Sequence, residues 1–398
     1  ILVLTLARQT RPAPTPVYFR DLVGNTATAV RLRELVQTGR LPHAVILQGA
    51  AGGGALPLAV ATARYLICLD PGPTDACGAC TACRKSEKYV HPDLHFAFPT
   101  IGSKMVSDSF LPQWRTALSE TPYQDVNAWL QRIGAENKQG NITKEECDAI
   151  VRKLSLMTFE STYKVLIIWL PEYLGNEGNR LLKLIEEPPE NTHFLLVTEN
   201  TELILNTILS RCQLIVVPPP EDEAIAASLT AVGVGVERAA TLARLADGNV
   251  YDARRMADGT DSDDDSSELL RDWLRICYQG SPVKMVAWTD DFSKRGRESQ
   301  KYFLRYALYF WRELLTLKYV GNANGTVRLR PAELDTAEKL GKLVELDAIG
   351  DITGILNDCI RYVERNANPK IVFLDAGIRI HRALCYPVAT ATVESSRA

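Results

Sequence analysis

The chain has 398 residues, 46% of them hydrophobic and 23% charged, and 45 Lys and Arg stand against 48 Asp and Glu for a net charge of -3. That length calls for two or three domains, and the composition excludes a disordered or collagen-like chain. The near-neutral balance excludes a global positive field for nucleic acid, so any DNA contact must be a local patch. No apolar run approaches the ~18 residues of a membrane span. Nine cysteines are partly clustered, which in a cytoplasmic setting of reduced thiols points to metal.

Residues 1–17 (ILVLTLARQTRPAPTPV) have a very short apolar start, then Arg and three prolines. No basic region precedes the apolar part, so they read as a disordered leader rather than a secretory signal. From Tyr18 to about Pro220, short apolar runs alternate with helical stretches. Strands are expected at Ala44–Leu47, Val165–Trp169, Phe194–Thr198 and Leu214–Val217, with an apolar-rich helix over Leu56–Ile67. Continuous apolar runs separated by helices predict a parallel sheet covered on both faces. A helix over Asn176–Glu187 is expected to stop at Pro188-Pro189, because a residue before Pro is driven out of the helical region.

After Pro218–Pro220 the strand runs cease. Residues 221–258 carry helical periodicity, 259–267 (GTDSDDDSS) have the composition of an acidic linker, and 268 to about 388 read as helix, including the aromatic stretch Tyr302–Tyr319. Residues 389–398 read as a loose tail. The fold class is therefore α/β plus all-α: a parallel-sheet core at 18–220, a small helical domain and a helical C-terminal domain, with no internal repeat.

Gln48 to Leu58 (QGAAGGGALPL) follows a strand and precedes a helix, the context of a phosphate-binding loop, and Gly49, Gly52 and Gly54 supply its glycine skeleton. A working loop continues with Lys, to neutralise phosphate, and Ser or Thr, to ligate Mg²⁺. Ala55 and Leu56 hold those places. Two readings stand side by side: a degenerate nucleotide loop, or an ordinary tight turn between strand and helix. The second strand bears on the choice. A nucleotidase of this kind ends it with Asp-Glu for metal and water, whereas here it ends Trp169-Leu170-Pro171-Glu172, with Glu172 two positions too late. The concordant losses point to a nucleotidase fold that has stopped hydrolysing.

Cys68, Cys77, Cys80 and Cys83 form C-x8-C-x2-C-x2-C. A redox pair would explain one C-x-x-C, but four cysteines in so short a stretch suit tetrahedral zinc. With four sulfurs no coordination position remains for water, so the role is structural, folding an insertion over 68–83. Cys147, Cys212, Cys277, Cys359 and Cys385 are dispersed and read as small buried hydrophobes. His91 and His95 near the cluster are not needed as ligands. Arg211, in the segment ILSRC before the last strand, reads on position alone as a surface ion-pair partner.

Taken together, QGAAGGGALPL, the four cysteines, KVLIIWLPEYL, NRLLKLIEEPPENTHFLLVTEN and TILSRC resemble the delta-prime family of bacterial DNA polymerase III clamp-loader subunits, within the AAA+ class. The C-terminal ERNANPK (Glu364–Lys370) is similar to that family's collar segment. The related gamma and tau share the cysteines and the EEPP and SRC segments but keep the Lys-Ser/Thr loop and Asp-Glu. The resemblance covers roughly Tyr18 to Leu384. It implies an AAA+ core, a helical lid over 221–258 and a helical collar over 268–388. It implies partners too: gamma/tau and delta, with the sliding clamp and primed DNA reached through the complex, in the bacterial cytoplasm and without a membrane. It implies that Arg211 reaches across a subunit interface to a neighbour's ATP as a catalytic arginine in trans, while this chain neither binds ATP productively nor hydrolyses it; the alternative is an ATP-hydrolysing gamma/tau-type motor subunit. In the lid, Tyr251 falls where active relatives place an Arg that senses their own nucleotide; Arg254 and Arg255 read as helix-surface cations. The basic stretch Lys294–Arg305 reads as a solvated helix face.

Overall fold

The computed structural model describes residues 17–134, 140–258, 263–322, 327–329, 331–365 and 367–386. Residues 1–16 of the expected leader, 259–262 of the expected linker and the whole expected tail lie outside that set. The chain divides into two compact units, one made of residues up to 232 with 247–252, the other of 233–246 with the residues from 253 onward. The stretch 221–258, expected as a domain of its own, is thus shared between them.

Five strands build the first unit: β1 (Ala44–Gln48), β2 (Leu94–Ala97), β3 (Lys164–Trp169), β4 (Thr192–Thr198) and β5 (Gln213–Val216). They form one parallel sheet in the order β2-β3-β4-β1-β5, with Ala44 opposite Phe194, Lys164 opposite Thr192 and Val45 opposite Gln213. Successive side chains on a strand point to opposite faces, and each face carries its own core. Val45, Leu47, Val165, Ile167, Leu195 and Val197 pack with the helices Thr26–Gln37 and Ala55–Ile67. Ala44, Ile46, Leu166, Ile168, Phe194 and Leu196 pack with the helix Lys144–Leu154 and the segment 171–209. Helices on both faces explain why β1, β3 and β4 read as unbroken apolar runs, whereas β5, at the edge of the sheet, leaves Leu214 and Val216 exposed. Each of the Val, Leu, Ile and Phe side chains in the two cores contributes ~1.5–3 kcal/mol on burial.

Two elements differ from the sequence reading. The expected helix Asn176–Glu187 is a 3₁₀ stretch, Pro171–Leu181, broken at Gly175 (φ 49°), and only Leu182–Glu186 is α-helical before the two prolines. A Cβ on Gly178 would come 2.9 Å from Ile208 Cδ1, so this segment is tightly packed. Residues 263–267, assigned to the linker by composition, belong to the helix Asp263–Gln279.

The second unit is helical: Asp263–Gln279, Pro282–Phe292, Arg297–Tyr319, Pro331–Gly341, Leu346–Glu364 and Pro369–Cys385 follow one another. Gly280 (φ 65°) ends the first of these, and Pro stands at the start of the second, fourth and last. Trp273, Trp288, Phe292, Phe303 and Phe373 form its aromatic centre, with Trp288 stacked on Phe292 at 4.6 Å.

Candidate functional site

In an open parallel sheet, ligands bind beyond the carboxyl ends of the strands where the strand order reverses. Here the ends of β1, β3 and β4 meet at a cleft lined by the loop Gly49–Leu56, by Tyr123 and Gln124, by Trp169 and Leu170, and by Val197–Glu199. The glycine loop thus lies where the sequence pattern puts it. Gly52 (φ 63°) and Gly54 (φ 109°) hold the left-handed conformations that turn the strand into the helix Ala55–Ile67.

Among the described residues, neither lysine nor arginine lines the cleft around the loop. Ala55 and Leu56, at the lysine and metal-ligand positions, are buried, as are Trp169 and Leu170 at the end of β3. Trp169 packs 5.0 Å from Trp114, which stacks on Phe98 at 4.4 Å and meets Trp129 edge-on at 5.0 Å. An aromatic cluster therefore stands where acids would hold metal and water.

The chain itself closes on the loop. Asn25 donates to the Gly53 carbonyl at 3.1 Å, and the Val250 amide donates to the Gly52 carbonyl at 3.0 Å. The Asn249 side chain accepts from the Asp252 amide at 3.0 Å, as a helix N-cap does. It lies so close to the loop that a Cβ on Gly52 would stand 2.0 Å from its Oδ1. Even with the solvent at its mouth, the cleft holds only about 280 Å³, at the floor of the ~300–1,000 Å³ of small-molecule sites.

Glu172 reaches this region despite its late position. Its carboxylate accepts from the Thr198 hydroxyl at 3.0 Å and from the Glu199 amide at 3.1 Å, which ties the start of the 3₁₀ stretch to the end of β4. Burial pushes the Glu199 carboxyl up to about 7, with help from the charges of Glu172 and Asp125. Burial raises Glu172 as well, although the amide and hydroxyl donors oppose it. The sequence reading missed Tyr123, Glu199 and Asn249, because each arrives through tertiary contact with no motif of its own.

Arg211 follows the short helix Asn206–Leu209. Its guanidinium is partly exposed, forms an ion pair with Glu186 and donates to the Thr207 carbonyl at 2.7 Å. The surface ion-pair reading is thus met in the isolated chain, and its partner belongs to the Glu186-Glu187-Pro188-Pro189 segment.

The four cysteines of the zinc-type motif converge, with their sulfurs within 4.8 Å of one another. Cys83 Sγ lies 3.5 Å from Cys68 Sγ and 3.9 Å from Cys77 Sγ. A tetrahedron with Zn–S bonds of ~2.3 Å has edges of about 3.8 Å, so the donors fit such an ion. Backbone amides already point at the sulfurs: Cys77 N–H to Cys68, Cys80 N–H to Cys77 and Cys83 N–H to Cys80, at 3.3–3.4 Å. For Cys80, burial alone would raise the thiol, but the Leu69 and Cys83 amides and the neighbouring thiols bring it down to about 7. At Cys68 and Cys83 burial prevails and raises the thiols. Burial likewise pushes Cys147, Cys277 and Cys359 up to about 12, as inert core cysteines, and Cys212 to about 11; Cys212 and Cys385 are only partly buried, which departs from the expectation for them. His95 lies in β2, where burial lowers it to about 4, and His91 Nδ1 accepts from the Asp93 amide. Both stay outside the cluster.

A glycine loop that follows β1, an inner strand flanked by β4 and β5 in a parallel sheet with a core on each face, is the arrangement of a P-loop-NTPase-like core. Residues 24–221, just under half of the chain, match the family described as DNA polymerase III, delta subunit. The chain is 29% identical over 219 residues to the DNA polymerase III subunit delta' of Bacillus subtilis, covering 55% of this chain and 54% of that protein. It is 29% identical over 207 residues to subunit tau of Escherichia coli, covering 52% and 26%. Among solved structures, a gamma-subunit-related protein of Thermotoga maritima aligns over 88% of this chain and 99% of its own at 14% identity, with a TM-score of 0.41. The chain spans about half the length of the delta' relative it matches. Among the described residues no helix is long and apolar enough to cross a membrane.

Proposed function

We propose that the chain is a nucleotide-silent, delta-prime-type subunit of a DNA polymerase III clamp loader, which lends Arg211 to the ATP site of a neighbouring gamma/tau-type subunit. The observation that carries this reading is the filling of its own site: Ala55, Leu56, Trp169 and Leu170 are buried where lysine, metal ligand and acids are needed. Asn249 on the Gly52 loop supports it further. A partly exposed guanidinium on a turn suits a planar donor to a phosphoryl group held by another subunit. The assembly would contain gamma/tau and delta and act on the sliding clamp and primed DNA. The domain roles follow: the core at 18–220, lid helices over 221–258, and a helical collar that begins with the helix Asp263–Gln279. A zinc ion held by Cys68, Cys77, Cys80 and Cys83 would fold the insertion and take no part in phosphoryl transfer. The test is ATP turnover, first by the chain alone and then by the reconstituted assembly carrying Arg211→Ala. The chain alone should not exceed buffer, and the assembly should lose part of its clamp- and DNA-stimulated rate. Turnover by the chain alone selects the ATP-hydrolysing motor reading instead, and an unchanged rate in the Arg211→Ala assembly removes the trans role.

A further inference from the structure

One turn before the first cysteine of the cluster lies a buried cation with no anionic hydrogen-bond partner. Arg64 lies one turn before Cys68 on the helix Ala55–Ile67, at the spacing that puts two side chains on one helix face. It is 1% exposed, and none of its three guanidinium nitrogens has a hydrogen-bond partner. Its Cζ sits 4.1 Å from the centre of the Tyr18 ring. That ring reaches the cysteine loop, since a Cβ on Gly78, between Cys77 and Cys80, would come 2.8 Å from the Tyr18 hydroxyl. Arg64 is thus tied to the cluster twice, along its helix to Cys68 and across Tyr18 to Gly78. Of the carboxylates of this corner, Asp75 is already committed to the Phe19, Arg20 and Ala76 amides, and Asp21, which accepts from the Tyr18 amide, feels the Arg64 charge without a hydrogen bond to it.

We propose that Arg64 is the counter-charge of the metal centre, its buried guanidinium offsetting the excess negative charge of four thiolates around a divalent ion. The inference rests on the zinc reading above. Four thiolates outweigh one divalent ion by two charges, and the three N–H···S contacts offset only part of that excess. A guanidinium suits the remainder: it does not lose its proton, it is weakly hydrated, and it stacks on an aromatic face. The need is mutual. A buried cation without a hydrogen-bonded anion is costly; Asp21 feels its charge only through space, and the loaded cluster adds the negative charge that offsets it.

The experiment uses the full chain. Elemental analysis of the wild type comes first: about one zinc per chain is expected, and none would end the metal reading before Arg64 is tested. Zinc affinity is then measured by competition with a chromophoric chelator. Arg64→Met should weaken binding ~10–100-fold, the range for groups that support metal ligands without touching the metal, while Arg64→Lys stays nearer the wild type. Wild-type affinity in Arg64→Met overturns the proposal and leaves the zinc site standing. Melting temperatures keep the test open if Arg64→Met folds poorly. Arg64→Met should lower the melting temperature of the zinc-loaded chain and raise it in a background with all four cysteines changed to serine. An equal loss in both backgrounds would make Arg64 a packing residue and overturn the proposal.

Discussion

Glu186 and Arg211 form an ion pair between the end of the helix Leu182–Glu186 and the turn that precedes β5. The guanidinium also donates to the Thr207 carbonyl and to the Ser210 hydroxyl, so it is held at the surface in a defined position. Both side chains are well exposed to water, and a pair of that kind is worth ~0–1 kcal/mol. An arginine held so weakly can leave Glu186 for a phosphate at small cost. Glu186→Gln should therefore change the stability of the chain by no more than about 0.5 kcal/mol. In a reconstituted assembly it should leave the stimulated ATPase at or above the wild-type rate, while Arg211→Ala lowers it. If Glu186→Gln depresses the rate as far as Arg211→Ala does, the carboxylate orients the guanidinium instead of parking it.

Metal removal should act locally. Cys80 caps the helix Thr81–Glu87, and its sulfur accepts the Cys83 amide. Cys80→Ser keeps a cap but removes one of four donors, so zinc should be lost or strongly weakened. The insertion over 68–83 should then become accessible to protease and loosen the core on its own side, where Cys68 and Cys83 pack, while the sheet, whose opposite core holds none of these cysteines, keeps its far-ultraviolet circular dichroism. Global unfolding of Cys80→Ser would show that the sheet depends on the cluster.

The core was legible where local chemistry decides structure. Val165–Trp169 and Phe194–Thr198 are unbroken apolar runs because they are buried on both faces, and both are strands. β2 was not legible: Leu94-His95-Phe96-Ala97 is short and carries a histidine that burial keeps neutral. The cysteine spacing announced the cluster, since short knuckles fix donors locally. Nothing in the sequence marks Arg64 as a buried cation, because its environment is made by Tyr18 and the loop at Gly78. Glu172 stands outside the strand motif by its place in the sequence, yet it acts by reaching 26 residues along the chain to Thr198. Asn249 reaches the Gly52 loop from still further away.

The contact between Gly52 and Asn249 has measurable stiffness. Gly52→Ala puts a side chain at φ 63° and into the Asn249 amide, which should cost about 1–3 kcal/mol. Asn249→Ala removes the cap on Asp252 and should cost about 1 kcal/mol. The two changes meet at one contact, so the double variant should lose less than the sum. Strict additivity in denaturant melts would mean that the 247–252 segment does not press on the loop in solution.

Glu199 gives the cleft a pH dependence with a defined sign. Its carboxyl is raised from the ordinary value of 4.5 to about 7, first by burial and then by the charges of Glu172 and Asp125. Between those values the folded chain holds a proton that the unfolded chain has released. Stability from this group is therefore fully present below pH ~4.5 and is lost as pH rises through about 7. One proton held across that pH range is worth ~1.4 kcal/mol per pH unit, so the loss is on the order of 3 kcal/mol. Glu172 is raised in the same direction and shares the protons, so the two carboxyls titrate together rather than singly. Glu199→Gln keeps the backbone amide that donates to Glu172 but carries no proton to lose. It should match the wild type near pH 5, be more stable at pH 8, and show a flatter stability profile between them. Denaturant melts at a series of pH values measure this, and a Gln variant with the wild-type slope would place the titration elsewhere in the chain.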